Sequence, residues 1–154
     1  MSKDIKGLAL ITGTTSGVGL NTLKPLIRFG WEIIAVNRSN KRAMSIAEEI
    51  LTKEEFKNIK FIEIDLSDLD DVKKGCDEIL NKFKKPINSL ICNAAVYKPR
   101  LKRPERSPQG FENSMAVNHF GHFLMINLLL ENILSSEREI VLNGKSTLFK
   151  PRIT

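Results

Sequence analysis

Between the apolar run Leu8-Ala9-Leu10-Ile11 and a stretch of helical periodicity lies Thr12-Gly13-Thr14-Thr15-Ser16-Gly17-Val18-Gly19. Strand, glycine turn and helix, in that order, mark a doubly wound α/β domain that holds nucleotide phosphates at the helix N-terminus. The spacing is G-x-x-x-G-x-G rather than the commoner G-x-G-x-x-G. Gly13 permits the sharp turn off the strand, Gly17 lets backbone approach a pyrophosphate, and Gly19 lets helix and strand pack closely. Unpaired N–H groups of the first helical turn then face an anion. The candidate binding residues here are Gly13, Thr15, Ser16, Gly17, Val18 and Gly19. An ordinary glycine-rich βα turn is the competing reading; the strand–helix context near the N-terminus favours the nucleotide site.

Downstream, strand and helix signals alternate, as in a parallel sheet covered on both faces. A helix is expected from about Val18 to Arg28, closed by Gly30, with Pro25 inside it as a source of a kink. Strands follow at Trp31–Val36, Ile59–Ile64 and Ser89–Asn93, the first two separated by a helix with Ala43, Ile46, Ala47, Ile50 and Leu51 on one face. Ser67-x-x-Asp70 has the form of a capping box, opening a helix that runs to about Phe83. A loop rich in Pro and Arg spans Val96 to Gln109, and a long helix is expected from about Gly110 to Leu134. Ile140 to Gly144 reads as half of a hairpin, and Arg152-Ile153-Thr154 as the first step of a fifth strand. At roughly 30 residues per βα step, a six- or seven-stranded sheet needs ~200 residues. The expectation is therefore one Rossmann-type domain over residues 1–154, truncated after about four strands and incomplete at its C-terminal end.

A net charge of +6 suits an anionic ligand. The basic residues are scattered among acids and aromatics make up 6% of the chain, so no platform for nucleic acid is apparent. Lys98, Arg100, Lys102, Arg103 and Arg106 form the one basic run, read as a solvated loop. Cys76 and Cys92 lack metal-type spacing. Cys76 shares a helical stripe with Leu69, Val72, Ile79, Leu80 and Phe83 and is read as a buried small hydrophobe, and Cys92 as structural. His119 and His122 have no third ligand at matching spacing, so no metal is expected; both read as structural donors beneath the sheet. Asn143 to Thr147 echoes the tail of a P-loop, but Glu139 stands where its first glycine is required. No signal, transit or transmembrane segment is read, so a cytoplasmic protein, or one peripheral on a membrane, is expected. Oligomeric state is left open.

About 20 residues beyond the glycine turn, where a site for NAD places an acid, stands Asn37-Arg38-Ser39 with Lys41 and Arg42 behind it. A guanidinium binds a 2′-phosphate through charge-assisted bonds, whereas an acid repels it. The pattern favours NADPH, with Arg38 as the principal reader; a solvated basic turn is the alternative.

With Asp65-Leu66 after the third strand and Asn93-Ala94-Ala95 after the fourth, the chain resembles the short-chain dehydrogenase/reductases. That resemblance implies that Asp65 accepts from the adenine amino group and that Asn93, Ala94 and Ala95 lie along the cofactor. Ala95 departs from the usual glycine. Cys92-Asn93-Ala94-Ala95-Val96-Tyr97, Pro108-x-Gly110-Phe111-Glu112-x-Ser114 and Val117-Asn118-His119-Phe120-Gly121-His122-Phe123-Leu124 resemble one subgroup, the light-dependent protochlorophyllide reductases. Retinol-dehydrogenase-like members share the last block. The subgroup resemblance implies protochlorophyllide as substrate, photosynthetic membranes as a location, Tyr97 near the pigment, and Asn118 as a member of the catalytic tetrad. It also implies a Tyr-x-x-x-Lys pair. The chain's one tyrosine is Tyr97, and four residues on stands Leu101. Little or no activity is expected from these residues alone; the alternatives are a non-catalytic NADP-binding module or another short-chain reductase of the retinol-dehydrogenase-like type.

Overall fold

The computed structural model describes residues 7–99, 103–136, 138–142, 145–150 and 152–154. β1 (Gly7–Thr12), β2 (Trp31–Asn37) and β3 (Ile59–Glu63) are joined by helices α1 (Gly17–Arg28) and α2 (Asn40–Ile50), with a further turn of helix α3 (Lys53–Phe56). Helix α4 (Leu69–Lys82) leads to β4 (Ser89–Ile91). A helical run opens as α5 (Asn113–Met115), widens into a π turn (Ala116–Gly121) and resumes as α6 (His122–Leu134). β5 (Arg138–Leu142) and β6 (Lys145–Phe149) form an antiparallel pair, and β7 (Arg152–Ile153) returns to the main sheet.

That sheet has five strands in the order β3-β2-β1-β4-β7, all parallel. The chain first works outward from β1 to β3, then crosses back to β4 on the other side of β1. The strand order therefore reverses between β1 and β4, which opens a crevice at their carboxyl ends. The expected fifth strand is present as two residues. The hairpin strands pair as expected, and the Asn143-Gly144 turn lies outside the described residues.

Both faces of the sheet are buried, so β1 and β2 read as nearly continuous apolar runs. Side-chain alternation divides the core in two. Leu8, Leu10, Ile34 and Val36 pack with Val72, Cys76 and Ile79 of α4 and Met125, Leu129 and Ile133 of α6. Ile11, Ile33 and Ala35 pack with Leu23 and Ile27 of α1 and Ala47 of α2. Cys76 is fully buried, as its stripe indicated, whereas Leu80 turns to the surface. Pro25 is exposed and α1 continues through it to Arg28, because the carbonyl that Pro25 leaves unpaired lies on the solvent side.

Two helix starts differ from expectation. The cap of α4 is Asp68, whose carboxylate accepts from the Asp70 N–H; Ser67 instead donates its N–H and hydroxyl to Asp65, so no Ser67–Asp70 capping box forms. The helix expected from Gly110 begins at Asn113, capped by Glu112, since Gly110 at φ 85° belongs to a tight turn closed by Ser107 and Phe111. Short α3 carried no apolar period to betray it; its Thr52–Glu55 capping box forms it locally.

Candidate functional site

The crevice at the strand-order reversal is a cleft of about 220 Å³. Gly13 and Thr15 of the turn after β1 form one side, and Val36 to Ser39 at the end of β2, with Arg42, form the rim. Ile64, Asp65 and Leu66 after β3 face Ala94, Ala95 and Val96 after β4, and Val117 of the π turn lies at the back.

Local hydrogen bonds set each wall. Gly13 has φ 72° and lies against Ala94, so a Cβ there would come within 2.7 Å of the Ala94 Cα. The buried Asn37 side chain accepts from the Thr14 N–H at 2.7 Å and donates to the Thr14 hydroxyl at 2.8 Å, tying the β1 turn to β2. Asn93 donates its side-chain amide to the carbonyls of Thr12 and Gly13 at 3.0 and 2.9 Å. The Thr12 hydroxyl accepts the N–H groups of Asn93 and Ala94 at 2.9 and 3.0 Å. Asn118, from the π turn, accepts the Val96 N–H at 2.7 Å and donates to the Val96 carbonyl at 2.9 Å. The segment 93–96 is thereby pinned at both ends.

The N-terminal turn of α1 stands beside the cleft. Ser16, Gly17 and Val18 are exposed there, and no side chain caps the helix. Gly17 has φ 55° with nothing within 4 Å of where a Cβ would stand, leaving an open cradle beside unpaired N–H groups. Gly19 is the opposite case. It is buried, and a Cβ would strike the Gly13 carbonyl and stand 2.5 Å from the Asn93 amide nitrogen. The close helix–strand approach read for Gly19 is thus realised.

Of the sequence-derived candidates, Gly13, Thr15, Arg38, Asp65, Leu66, Ala94 and Ala95 line the cleft. Ser16, Gly17 and Val18 adjoin it, and Gly19 and Asn93 support it from behind. Tyr97 is 86% exposed and lies outside the lining. The two histidines part company. His122 is buried, with Nε2 2.9 Å from the Thr12 hydroxyl, while exposed His119 stacks against Phe123 rather than beneath the sheet. Burial pushes the Cys92 thiol up to about 11, which suits a packing role rather than a nucleophile. Gln109 reaches the start of α4, where its side chain accepts the Leu69 N–H and donates to Asp68; the donation to Asp68 is the first cause holding that carboxyl below its usual range.

Sequence reading did not identify the Asn37 and Thr12 hydrogen bonds or the aliphatic walls Val36, Ile64 and Val117. Asn37 was legible only as a position at a strand end, and the walls look like any other core residues. The cleft brings together the Arg38 and Arg42 guanidinium groups, the Asp65 carboxylate and the aliphatic side chains of Val36, Ile64 and Val117.

A family model described as short chain dehydrogenase matches residues 7–148. The chain is 38% identical over 147 residues to a chloroplastic protochlorophyllide reductase of Cucumis sativus, covering 92% of this chain and 36% of that protein. It is 33% identical over 144 residues to a protochlorophyllide reductase of Avena sativa, covering 91% of this chain and 45% of that protein. The chain thus spans about a third to a half of the length of these relatives. Among solved structures, an alcohol dehydrogenase from the archaeon Thermococcus sibiricus complexed with 5-hydroxy-NADP superposes with a TM-score of 0.68 at 25% identity, covering 84% of this chain and 54% of that one. The Pseudomonas aeruginosa RhlG/NADP complex, at 19% identity and a TM-score of 0.71 over 88% of this chain and 51% of that one, shares the fold.

Proposed function

The chain belongs to the short-chain dehydrogenase family, and on that footing we propose that its cleft is the NADPH-binding portion of a reductase acting on protochlorophyllide. The observation that carries the cofactor choice is the rim at the end of β2. Arg38, Ser39 and Arg42 line the cleft there, whereas the Glu63 carboxylate, which accepts the Asn40 N–H at 2.7 Å, is not among the lining residues. A 2′-phosphate would be held by Arg38 with Arg42 beside it, through charge-assisted bonds. Asp65 has one oxygen occupied by both donors of Ser67, which fixes the carboxylate and leaves the other oxygen for an adenine amino group. The open cradle at Gly17 fits a pyrophosphate. Ala94 and Ala95 border the path of the cofactor.

Bound NADPH would supply the hydride. The chain's own residues bind, orient and shape. Asn118, assigned to the catalytic tetrad by resemblance, has both ends of its side chain engaged by Val96, so here it acts by holding the wall beside the reacting ring. Tyr97, exposed beyond β4, would meet the pigment from the loop side. The names of the curated relatives support protochlorophyllide as the substrate. The chloroplast named for the Cucumis sativus relative supports a peripheral position on photosynthetic membranes; among the described residues no helix is long and apolar enough to cross one.

A second reading rests on a specific observation. The 154 residues hold one tyrosine and no Tyr-x-x-x-Lys pair. Placed proton transfer contributes roughly 10²–10⁴ in rate, so these residues alone would bind cofactor and turn over little. Binding measurements with NADPH and NADH on the wild type and on Arg38→Asp test the cofactor assignment. Preference should move towards NADH in the variant, and an unchanged preference overturns it. Illuminating the chain with NADPH and protochlorophyllide tests turnover; chlorophyllide formation by this chain alone would refute the need for the missing pair.

A further inference from the structure

His122 takes no part in the binding surface, yet it completes the hydrogen bonding of the wall between β4 and the π turn. The Thr12 hydroxyl already accepts two N–H groups, from Asn93 at 2.9 Å and Ala94 at 3.0 Å. Those use both of its lone pairs. Its single proton has one well-placed acceptor, His122 Nε2 at 2.9 Å; the alternative, the Ile91 carbonyl, stands at 3.5 Å. His122 Nε2 must therefore be bare, and the ring proton sits on Nδ1, facing the Asn118 carbonyl at 3.5 Å. Asn118 in turn grips Val96.

Resting on the cofactor-site reading above, we infer that neutral His122 is a positioning residue: by accepting from Thr12 it keeps that hydroxyl turned to receive the Asn93 and Ala94 N–H groups, and so holds the cleft wall 94–96 in register. Protonation would make Nε2 a third donor towards the Thr12 oxygen, which would have to surrender one of its two N–H bonds. Burial lowers the affinity of His122 for a proton, and the Asn118 carbonyl opposes that. From the same core layer, α4 contributes Cys76 and the segment just after β4 contributes Cys92, whose thiols burial pushes up to about 12 and about 11. Both are neutral near pH 7, so of these three groups His122 is the one whose charge changes between pH 5 and 8.

The test is residue-resolved amide hydrogen exchange on the ligand-free chain between pH 5 and 8, in the wild type, His122→Gln and His122→Leu. Glutamine sets an acceptor near the Nε2 position without titrating. After correction for intrinsic rates, protection of the Asn93 and Ala94 amides should fall about tenfold or more towards pH 5 in the wild type. It should stay level in H122Q and be low throughout in H122L, while Leu90 on the same strand changes less. Equal protection in H122L and wild type, a surviving pH dependence in H122Q, or a parallel loss at Leu90 would each overturn the inference. If H122L does not fold, the wild type and H122Q still decide it. A parallel NADPH titration should find H122Q within a factor of about two of the wild type. Failure of the wild type to bind NADPH would count against the cofactor reading while leaving the exchange result standing.

Discussion

Replacing Gly19 by alanine sets two effects of opposite sign against each other. Gly19 lies in α1 with no positive φ, so alanine there should gain about 1 kcal/mol of helix propensity. Its Cβ, however, would collide with the Gly13 carbonyl and stand 2.5 Å from the Asn93 amide nitrogen. Neither neighbour is free to yield. The carbonyl is backbone in the turn, and the Asn93 amide is held by its bonds to Thr12 and Gly13 at 3.0 and 2.9 Å. Overpacking of this kind costs about 1–3 kcal/mol, and losing one of the Asn93 bonds adds about 0.5–1.5 kcal/mol. Against the propensity gain, the net is a destabilisation of about 2 kcal/mol, or roughly 4–8 °C in Tm for a chain of this size. Urea unfolding followed by Trp31, the chain's single tryptophan at the start of β2, measures it directly. A Gly19→Ala protein as stable as the wild type, or more stable, would refute the close approach of α1 and β1.

Other consequences are separable. Gly17→Ala meets no atom but places a side chain at φ 55°; stability should fall by about 1–2 kcal/mol, and calorimetric titration should find NADPH binding weakened at least tenfold. His122 binds its proton less readily folded than unfolded, so the unfolded chain takes up the extra proton between the lowered folded value and the ordinary value near 6.5. Its contribution is therefore complete above about pH 6.5 and lost as pH falls, and urea midpoints for H122Q should show a weaker decline than wild type between pH 7 and 5. Buried Cys76, its thiol pushed up to about 12, should resist a thiol reagent at pH 8 until urea unfolds the chain, with half-buried Cys92 labelled first; rapid labelling of Cys76 in the native protein would contradict its burial.

How much of this was legible in the sequence depended on whether the signal was local. The Gly13–Gly19 turn, the alternation of strands with helices and the Arg38 rim each follow from residues close together in the chain, and they stand where expected. Features set by long-range contact were not legible. Thr12 meets His122 from 110 positions away in the chain and Asn118 meets Val96 from 22, and no pattern near either residue announces a partner. Ser67-x-x-Asp70 has the form of a cap, yet Asp68 fits the first turn while Ser67 is drawn to Asp65. Sequence alone reads both His119 and His122 as donors beneath the sheet. The π turn, wider than an α-helical one, leaves the first in solvent and turns the second inward.

The central claim is that the crevice between β1 and β4 holds NADPH by its 2′-phosphate. Isothermal titration of the chain with NADPH and with NADH under one set of conditions tests it most directly. The arginine rim predicts NADPH tighter by about tenfold or more, the worth of one charge-assisted contact of about 1.5–3 kcal/mol. Equal affinities, a preference for NADH, or no binding of either would contradict it.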